Sequence, residues 1–217
     1  MEINLLENYP KTKRNLQQRQ GQKTPDIIAV ARRFDREYFD GDRIYGYGGY
    51  SYQSRFWQPV VPTFQSHYGL TNQSSILDVG CAKGFMLHDF RGLIPGIKVC
   101  GIDISDYALQ NALPDVKPFL QKGNANKIPF PDKSFDVVIS INTIHNLPIE
   151  ECKQALREIQ RVTKKYAFIT VDAYRDEEEK QLMDMWNLTA KTYMHVGEWK
   201  ALFKEVGYQG DYYWFIP

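Results

Sequence analysis

The sequence predicts an α/β fold built on a mostly parallel sheet with helices on both faces. Three observations carry this. From Ser75 onward, short apolar runs alternate with stretches of helical spacing. The intervals between runs are long enough for the helical crossovers that parallel strands require. The composition, 43% hydrophobic and 24% charged over 217 residues, supports a sizeable core without disulfides or metals. Before Ser74 the chain is basic, aromatic and weakly patterned. Residues 1–73 therefore read as a helical and aromatic N-terminal segment, and residues 74–217 as the α/β domain.

In chain order, Thr24-Pro25-Asp26 places an N-cap before a proline in a first turn and predicts a helix to about Tyr38. Ile76-Leu77-Asp78-Val79 is a buried strand, 85–94 a helix, and 98–102 a second strand. Ser105 caps a helix to about Leu113. Phe119-Leu120 marks a weak third strand and 136–141 a strong fourth. A helix follows at about 149–162, then a fifth strand at 166–171. Helical patterns return at 176–190 and 195–206, and 212–216 is a last apolar run.

Charge and cysteine usage narrow the setting. With 27 basic and 26 acidic residues the net charge is +1, so no global field draws the chain to nucleic acid or membrane. Residues 1–36 carry eight Lys or Arg against four Asp or Glu, which reads as a solvated helical face in preference to a nucleic-acid arm. Cys81, Cys100 and Cys152 form no CxxC pair and read as reduced thiols. No signal-type apolar segment and no run of ~18–20 apolar residues occurs. A soluble, cytoplasmic protein is expected.

The chemistry centres on LDVGCAKG at 77–84, a strand that runs into a glycine-bearing turn and then a helix. Such a turn brings backbone close to a ligand at the carboxyl ends of the strands. Asp103 follows Asp78 by 25 residues and ends the second strand, where a carboxylate can hold both hydroxyls of a ribose.

With GIDIS at 101–105, GNANKIPFPDKSFDVVIS at 123–140 and EWKALFKEVGY at 198–208, the chain resembles the class I S-adenosylmethionine-dependent methyltransferases of small-molecule type. The resemblance spans about 74–171 and returns at 195–208. It implies a Rossmann-like methyltransferase fold of six or seven strands and S-adenosyl-L-methionine as cofactor. It places the donor against Asp78, Gly80, Cys81, Ala82, Gly84, Asp103, Ile104, Asn124, Ala125 and Ser140. Ala82 replaces the middle glycine of the family turn, which a negative φ would accommodate. Asn124 replaces the usual aspartate and still offers an amide oxygen to the adenine amine; the backbone N–H of Ala125 is expected at the adenine ring. The family's closing antiparallel hairpin is expected to be shortened, leaving six strands instead of seven.

Methyl transfer to a protonated nucleophile needs a base, whereas a carboxylate or phosphate acceptor does not. His145, just past the fourth strand, is the candidate base or acceptor ligand; loop capping is its structural alternative. His195 is an acceptor candidate or a helix N-cap. Tyr45–Trp57, by the resemblance, reads as a lid over the donor, mobile without ligand, with Tyr47, Tyr50, Tyr52 and Trp57 shaping the acceptor pocket and Arg55 meeting the methionine carboxylate; an aromatic packing loop under the sheet edge is its structural alternative. Asp172 and Tyr174 end the fifth strand facing the cleft, and Trp186 and Asn187 either line the pocket or pack a helix. No acidic pair follows the fourth strand, so no metal is expected.

Three functions compete. The first is a methyltransferase for a small polar metabolite, by O- or N-methylation, acting as a monomer or homodimer. The second, a nucleic-acid methyltransferase, is disfavoured by Ser140-Ile141-Asn142-Thr143, which lacks the two prolines and aromatic of amino-methylating DNA enzymes. The third is a donor-binding domain without catalysis, to which Ala82 lends slight support.

Overall fold

The computed structural model describes residues 1–11, 14–48 and 51–217. Seven strands form the sheet: β1 (Ser75–Val79), β2 (Lys98–Asp103), β3 (Leu120–Lys122), β4 (Phe135–Ile141), β5 (Thr163–Tyr174), β6 (Met194–His195) and β7 (Asp211–Phe215). Their order is β3-β2-β1-β4-β5, and both β6 and β7 pair with β5. Every one of these pairings is parallel. The last apolar run therefore lies alongside β5 from Phe168↔Asp211 to Asp172↔Phe215, and among the described strands no antiparallel hairpin closes the sheet. Beyond β7, Glu2 bridges Tyr212 in parallel sense, so the first residues extend the sheet.

The central strands are apolar on both faces because a core lies on each side. On one side Leu77, Val79, Val138, Ile169 and Val171 pack against α8 (Ile149–Val162) and α10 (Val196–Val206). On the other, Ile76, Val137, Ile139 and Phe168 pack against α6 (Phe85–Leu93) and α5 (Val61–Tyr68). Leu5, Val60, Val61 and Phe64 belong to this second core, so the N-terminal segment and the sheet share buried apolar surface.

The helix expected over 24–38 is two helices, α2 (Pro25–Ala31) and α3 (Arg36–Asp40). Phe34 takes a φ of +50°, and the Asp35 side chain then accepts from the Arg36 N–H to start α3. Further along, α9 (Glu177–Trp186) stops short of 190 because Asn187 bonds Ala190 through both its amide oxygen and its NH₂.

The basic N-terminal stretch is a solvated face only in part: Lys11, Arg33 and Arg36 are exposed, while other cations of the stretch bond within the chain. Arg19, in α1 (Leu16–Gln22), is 7% exposed and donates to the carbonyls of Arg43, Ile44 and Gly46. Lys23 donates to the Asp184 carbonyl, and Arg32 to those of Thr189 and Ala190. Arg14 lies over the Trp186 and Phe215 rings. These cations dock α1 and α2 onto the α9 region. No helix among the described residues is long and apolar enough to cross a membrane.

Candidate functional site

The carboxyl ends of β1, β2, β4 and β5 open on one edge of the sheet. The turn after β1 is pinned to β2, since the Gly80 and Cys81 N–H groups both donate to the Ile102 carbonyl, at 2.8 and 3.0 Å. Gly80, Ala82 and Gly84 all have positive φ, at +88°, +49° and +76°. A Cβ on Gly80 would run into Thr143, so this glycine is required by close approach as well as by φ. Ala82 does not meet the expectation of negative φ: its methyl sits in the left-handed region, and the turn carries that strain.

Asp103 holds this turn. Its Oδ2 accepts from the Ala82 N–H at 2.8 Å and its Oδ1 from the Ser105 N–H at 2.8 Å. Each oxygen keeps a second lone-pair position for a ligand hydroxyl. Burial pushes this carboxyl up, against the opposing effect of the backbone N–H groups. Asp78 is buried with no hydrogen-bond donor on it among the described residues; burial first, and then the Asp103 charge, push it up to about 7. Gly123 N–H donates to the Asp103 carbonyl, which brings Asn124 and Ala125 to the end of β2. The Ala125 N–H has no partner among the described residues, and Ile104 exposes 46% of its surface next to Asp103. Asn124 Oδ1 accepts from the Asn126 N–H at 3.2 Å, which leaves its NH₂ and one lone-pair position available.

These observations fit a cationic adenosine-type ligand. Two carboxyls with spare acceptor capacity suit ribose hydroxyls and positive charge, and an unspent N–H beside exposed Ile104 suits an adenine ring. Cys81 contributes backbone only, its thiol being buried where a Cβ on Gly101 would meet Sγ at 2.7 Å. Ser140 is buried and donates its hydroxyl to the Val79 carbonyl at 3.0 Å, so that group ties β4 to β1. Gly84 opens α6 as its N-cap.

Other candidates are placed differently from the sequence expectation. His145 lies in the 3₁₀ turn Ile144–Asn146 and is buried; its Nδ1 accepts from the Asp172 N–H at 3.0 Å. Burial lowers its pKa to about 3. The nitrogen a base would use is committed to the backbone, and Nε2 carries the proton. His145 thus anchors the end of β5. His145 Nδ1 also lies 3.6 Å from Asp172 Oδ1, but a neutral ring accepting an N–H is no ion-pair partner. His195 is the N-cap of α10: Nδ1 accepts from Gly197 N–H, Nε2 donates to the Arg175 carbonyl, and Glu198 completes a capping box.

The aromatic segment is anchored. Tyr47 accepts through its hydroxyl from the Leu188 and Thr189 N–H groups at 2.7 and 3.2 Å and lies tilted against the Trp186 ring, so it packs the α9 end. Tyr52 donates to Asp89 Oδ1 at 2.5 Å on α6. Trp57, in α4 (Ser54–Trp57), packs edge-on against Tyr9 in the second core. Arg55 is exposed, its guanidinium lying over the Phe56 ring. Tyr50 lies outside the described residues. Trp186 and Asn187 pack the α9 terminus. Tyr174 pairs with His195 at the start of α10, and Asp172 remains at the end of β5.

Two residues escaped the sequence reading. Lys83, inside the turn, is buried and donates to both oxygens of Asp40 at 2.5 and 2.7 Å, and Tyr107 donates to Asp40 Oδ2 at 2.7 Å. This contact fastens α3 across the turn after β1. The same helix carries Tyr38, whose phenol feels the charges of both Asp103 and Asp172. The i, i+4 aromatic spacing of Phe34 and Tyr38 was the available signal.

Comparison with known proteins agrees with this geometry. Residues 77–171 match the methyltransferase domain family. The uncharacterised methyltransferase YcgJ of Bacillus subtilis is 27% identical over 65% of this chain and 60% of its own length. Its crystal structure superposes with a TM-score of 0.55 at 19% identity, over 67% of this chain and 66% of that one, which establishes a common fold. The sterol 24-C-methyltransferase of Pneumocystis carinii is 26% identical over 66% of this chain and 42% of its own. The malonyl-[acyl-carrier protein] O-methyltransferase of Legionella pneumophila is 28% identical over 57% and 44%. The chain thus spans 60% or less of the length of these curated relatives. Residues 77–171 carry the match to the methyltransferase domain family, and the α/β fold is the Rossmann-like one of the YcgJ structure.

Proposed function

We propose that the protein transfers a methyl group from S-adenosylmethionine to a small polar acceptor, by O- or N-methylation. The observation that carries this reading is the convergence of the positive-φ turn at 80–84, the Asp103 carboxylate and the unspent Ala125 N–H at one edge of the sheet. When bound, the donor supplies an activated sulfonium methyl. The chain's own residues align and enclose the reactants, and alignment alone lowers a barrier by roughly 7–11 kcal/mol. Asp103 holds the ribose, Asn124 and Ala125 the adenine, and the Gly80–Gly84 backbone the amino-acid end beside Asp78. Helix α3, fastened by Lys83 and Asp40, covers the cleft and limits water.

A small acceptor is favoured over nucleic acid because four of the eight N-terminal cations, Arg14, Arg19, Lys23 and Arg32, are spent on carbonyls and ring faces within the chain. The relatives named for a sterol carbon and for a malonyl oxygen act on different atoms, so they do not decide the acceptor atom here. Calorimetric titration with S-adenosylhomocysteine tests the donor site. Asp103→Ala should weaken binding by at least about tenfold, as expected for lost hydrogen bonds to a charged group. Unchanged affinity would reject the assignment. Release of S-adenosylhomocysteine across a metabolite library then identifies the acceptor.

A further inference from the structure

Asp172 has no structural task for its side chain. Along β5, Ile169, Val171 and Ala173 face the core beneath α8 and α10, so Phe168, Thr170 and Asp172 face the opposite side, toward the N-terminal helices. The backbone of Asp172 is fixed from both directions: its N–H donates to His145 Nδ1 at 3.0 Å, and its carbonyl accepts from Trp199 Nε1 at 3.0 Å. Its side chain is 6% exposed, with no hydrogen-bond donor on it among the described residues. The titratable groups around it are His145, Tyr38, Tyr47 and Tyr193. Three of these are already occupied. His145 accepts a backbone N–H, Tyr47 caps Leu188 and Thr189, and Tyr193 donates to Asp184 Oδ1 at 2.7 Å. Tyr38 has no hydrogen-bond partner among the described residues and lies close enough to both Asp103 and Asp172 to feel their charges.

We propose that Asp172 is the general base of the reaction and that the acceptor group is a neutral amine or a hydroxyl, with the Tyr38 phenol as its second polar contact. This rests on the donor reading above. The acceptor's lone pair forms the new bond to the methyl carbon. The C–S bond breaks with its electron pair kept by sulfur as a thioether, and the proton released from nitrogen or oxygen goes to an Asp172 carboxylate oxygen. Burial raises this carboxyl to about 7, where a base can both exist ionised and accept a proton near neutrality.

The test needs no knowledge of the acceptor. Sinefungin carries a protonated amine where the donor bears its sulfonium methyl, whereas S-adenosylhomocysteine carries nothing there. At about pH 8, wild-type protein should bind sinefungin at least about tenfold tighter than S-adenosylhomocysteine, the effect of a hydrogen bond to a buried charge. In Asp172→Asn that preference should vanish while S-adenosylhomocysteine affinity stays within about twofold, which also reports that the variant folds. In the unmutated protein, the preference should fade as pH drops through about 7 and the carboxylate is neutralised. A preference that survives in Asp172→Asn, no preference in the wild type, or one indifferent to pH would overturn the assignment. Failure of both compounds to bind the wild type would instead strike the donor reading, and the base with it.

Discussion

Ala82 combines a side chain with a φ of +49°, a conformation in which the Cβ crowds the following carbonyl at a cost of about 1–2 kcal/mol. Its N–H bond to Asp103 holds it there. Ala82→Gly should therefore raise unfolding free energy in urea by about 1 kcal/mol, the strain relieved less the extra chain entropy of glycine. A loss of stability would mean the backbone is not strained. Gly80→Ala should do the reverse: its Cβ meets Thr143 at positive φ, so S-adenosylhomocysteine binding should fall below detection in calorimetry. The sequence displayed both positions, and the missing middle glycine was plain in it. The sign of φ was not, because it depends on how the turn is pinned to the Ile102 carbonyl. His145 shows the same limit from the other side. Its position after the fourth strand was legible, but its acceptor nitrogen is consumed by the Asp172 N–H, a partner 27 residues away. With its pKa lowered to about 3 by burial, its imidazole proton resonances should stay fixed between about pH 5 and 8. A titration in that range would return His145 to the list of bases.

At the scale of elements, the strands and crossover helices were readable because β1, β2, β4 and β5 are apolar runs buried on both faces. What escaped was the N-terminal segment, whose order comes from cations and tyrosines reaching distant carbonyls and N–H groups and not from any periodic pattern. Arg19 shows this: one side chain donates to three carbonyls of 43–46, and its guanidinium also faces the rings of Tyr47 and Trp186. Arg19→Ala should leave those carbonyls unsatisfied and destabilise the protein by about 3 kcal/mol, in the range for breaking buried charged networks. Limited proteolysis should then cut within 43–48 in the variant and spare the wild type. Equal protection in both would show that Arg19 is not the anchor. The end of α10 nearest the cleft offers a contrasting case. His195 spends one ring nitrogen on capping and the other on the Arg175 carbonyl, so His195→Ala should cost about 1 kcal/mol of stability and leave S-adenosylhomocysteine affinity unchanged.

For the molecule as a whole, the buried groups that line the cleft set how stability depends on pH. Asp78 and Asp172 are raised from 3.8 to about 7, chiefly by burial. A raised group favours folding fully below its unfolded value and loses that contribution as pH climbs through the folded one, because the folded state binds the extra proton. These two carboxyls therefore weaken the fold as pH rises from about 4 to 7. His145 works in the opposite sense. Lowered from 6.5 to about 3, it is neutral in the fold while the unfolded chain takes up a proton, so stability falls as pH drops below about 6.5. Two protons against one leave a net gain on mild acidification. Below about pH 4 the gain ends, because Asp136, Glu158 and Asp211 are held below their ordinary values by hydrogen bonds and charged partners that outweigh the burial opposing them. The melting temperature should thus peak near about pH 5 and decline toward about pH 8, opposite to a protein whose carboxylates are all paired. Asp78→Asn and Asp172→Asn should each flatten the decline between pH 5 and about 8, and by similar amounts, since both are raised to about the same value. A melting temperature that rises steadily toward pH 8, or single variants that leave the slope untouched, would mean that these carboxyls are ionised and solvated in the fold. The cleft would then lack the buried, charge-hungry character on which both donor binding and the Asp172 base depend.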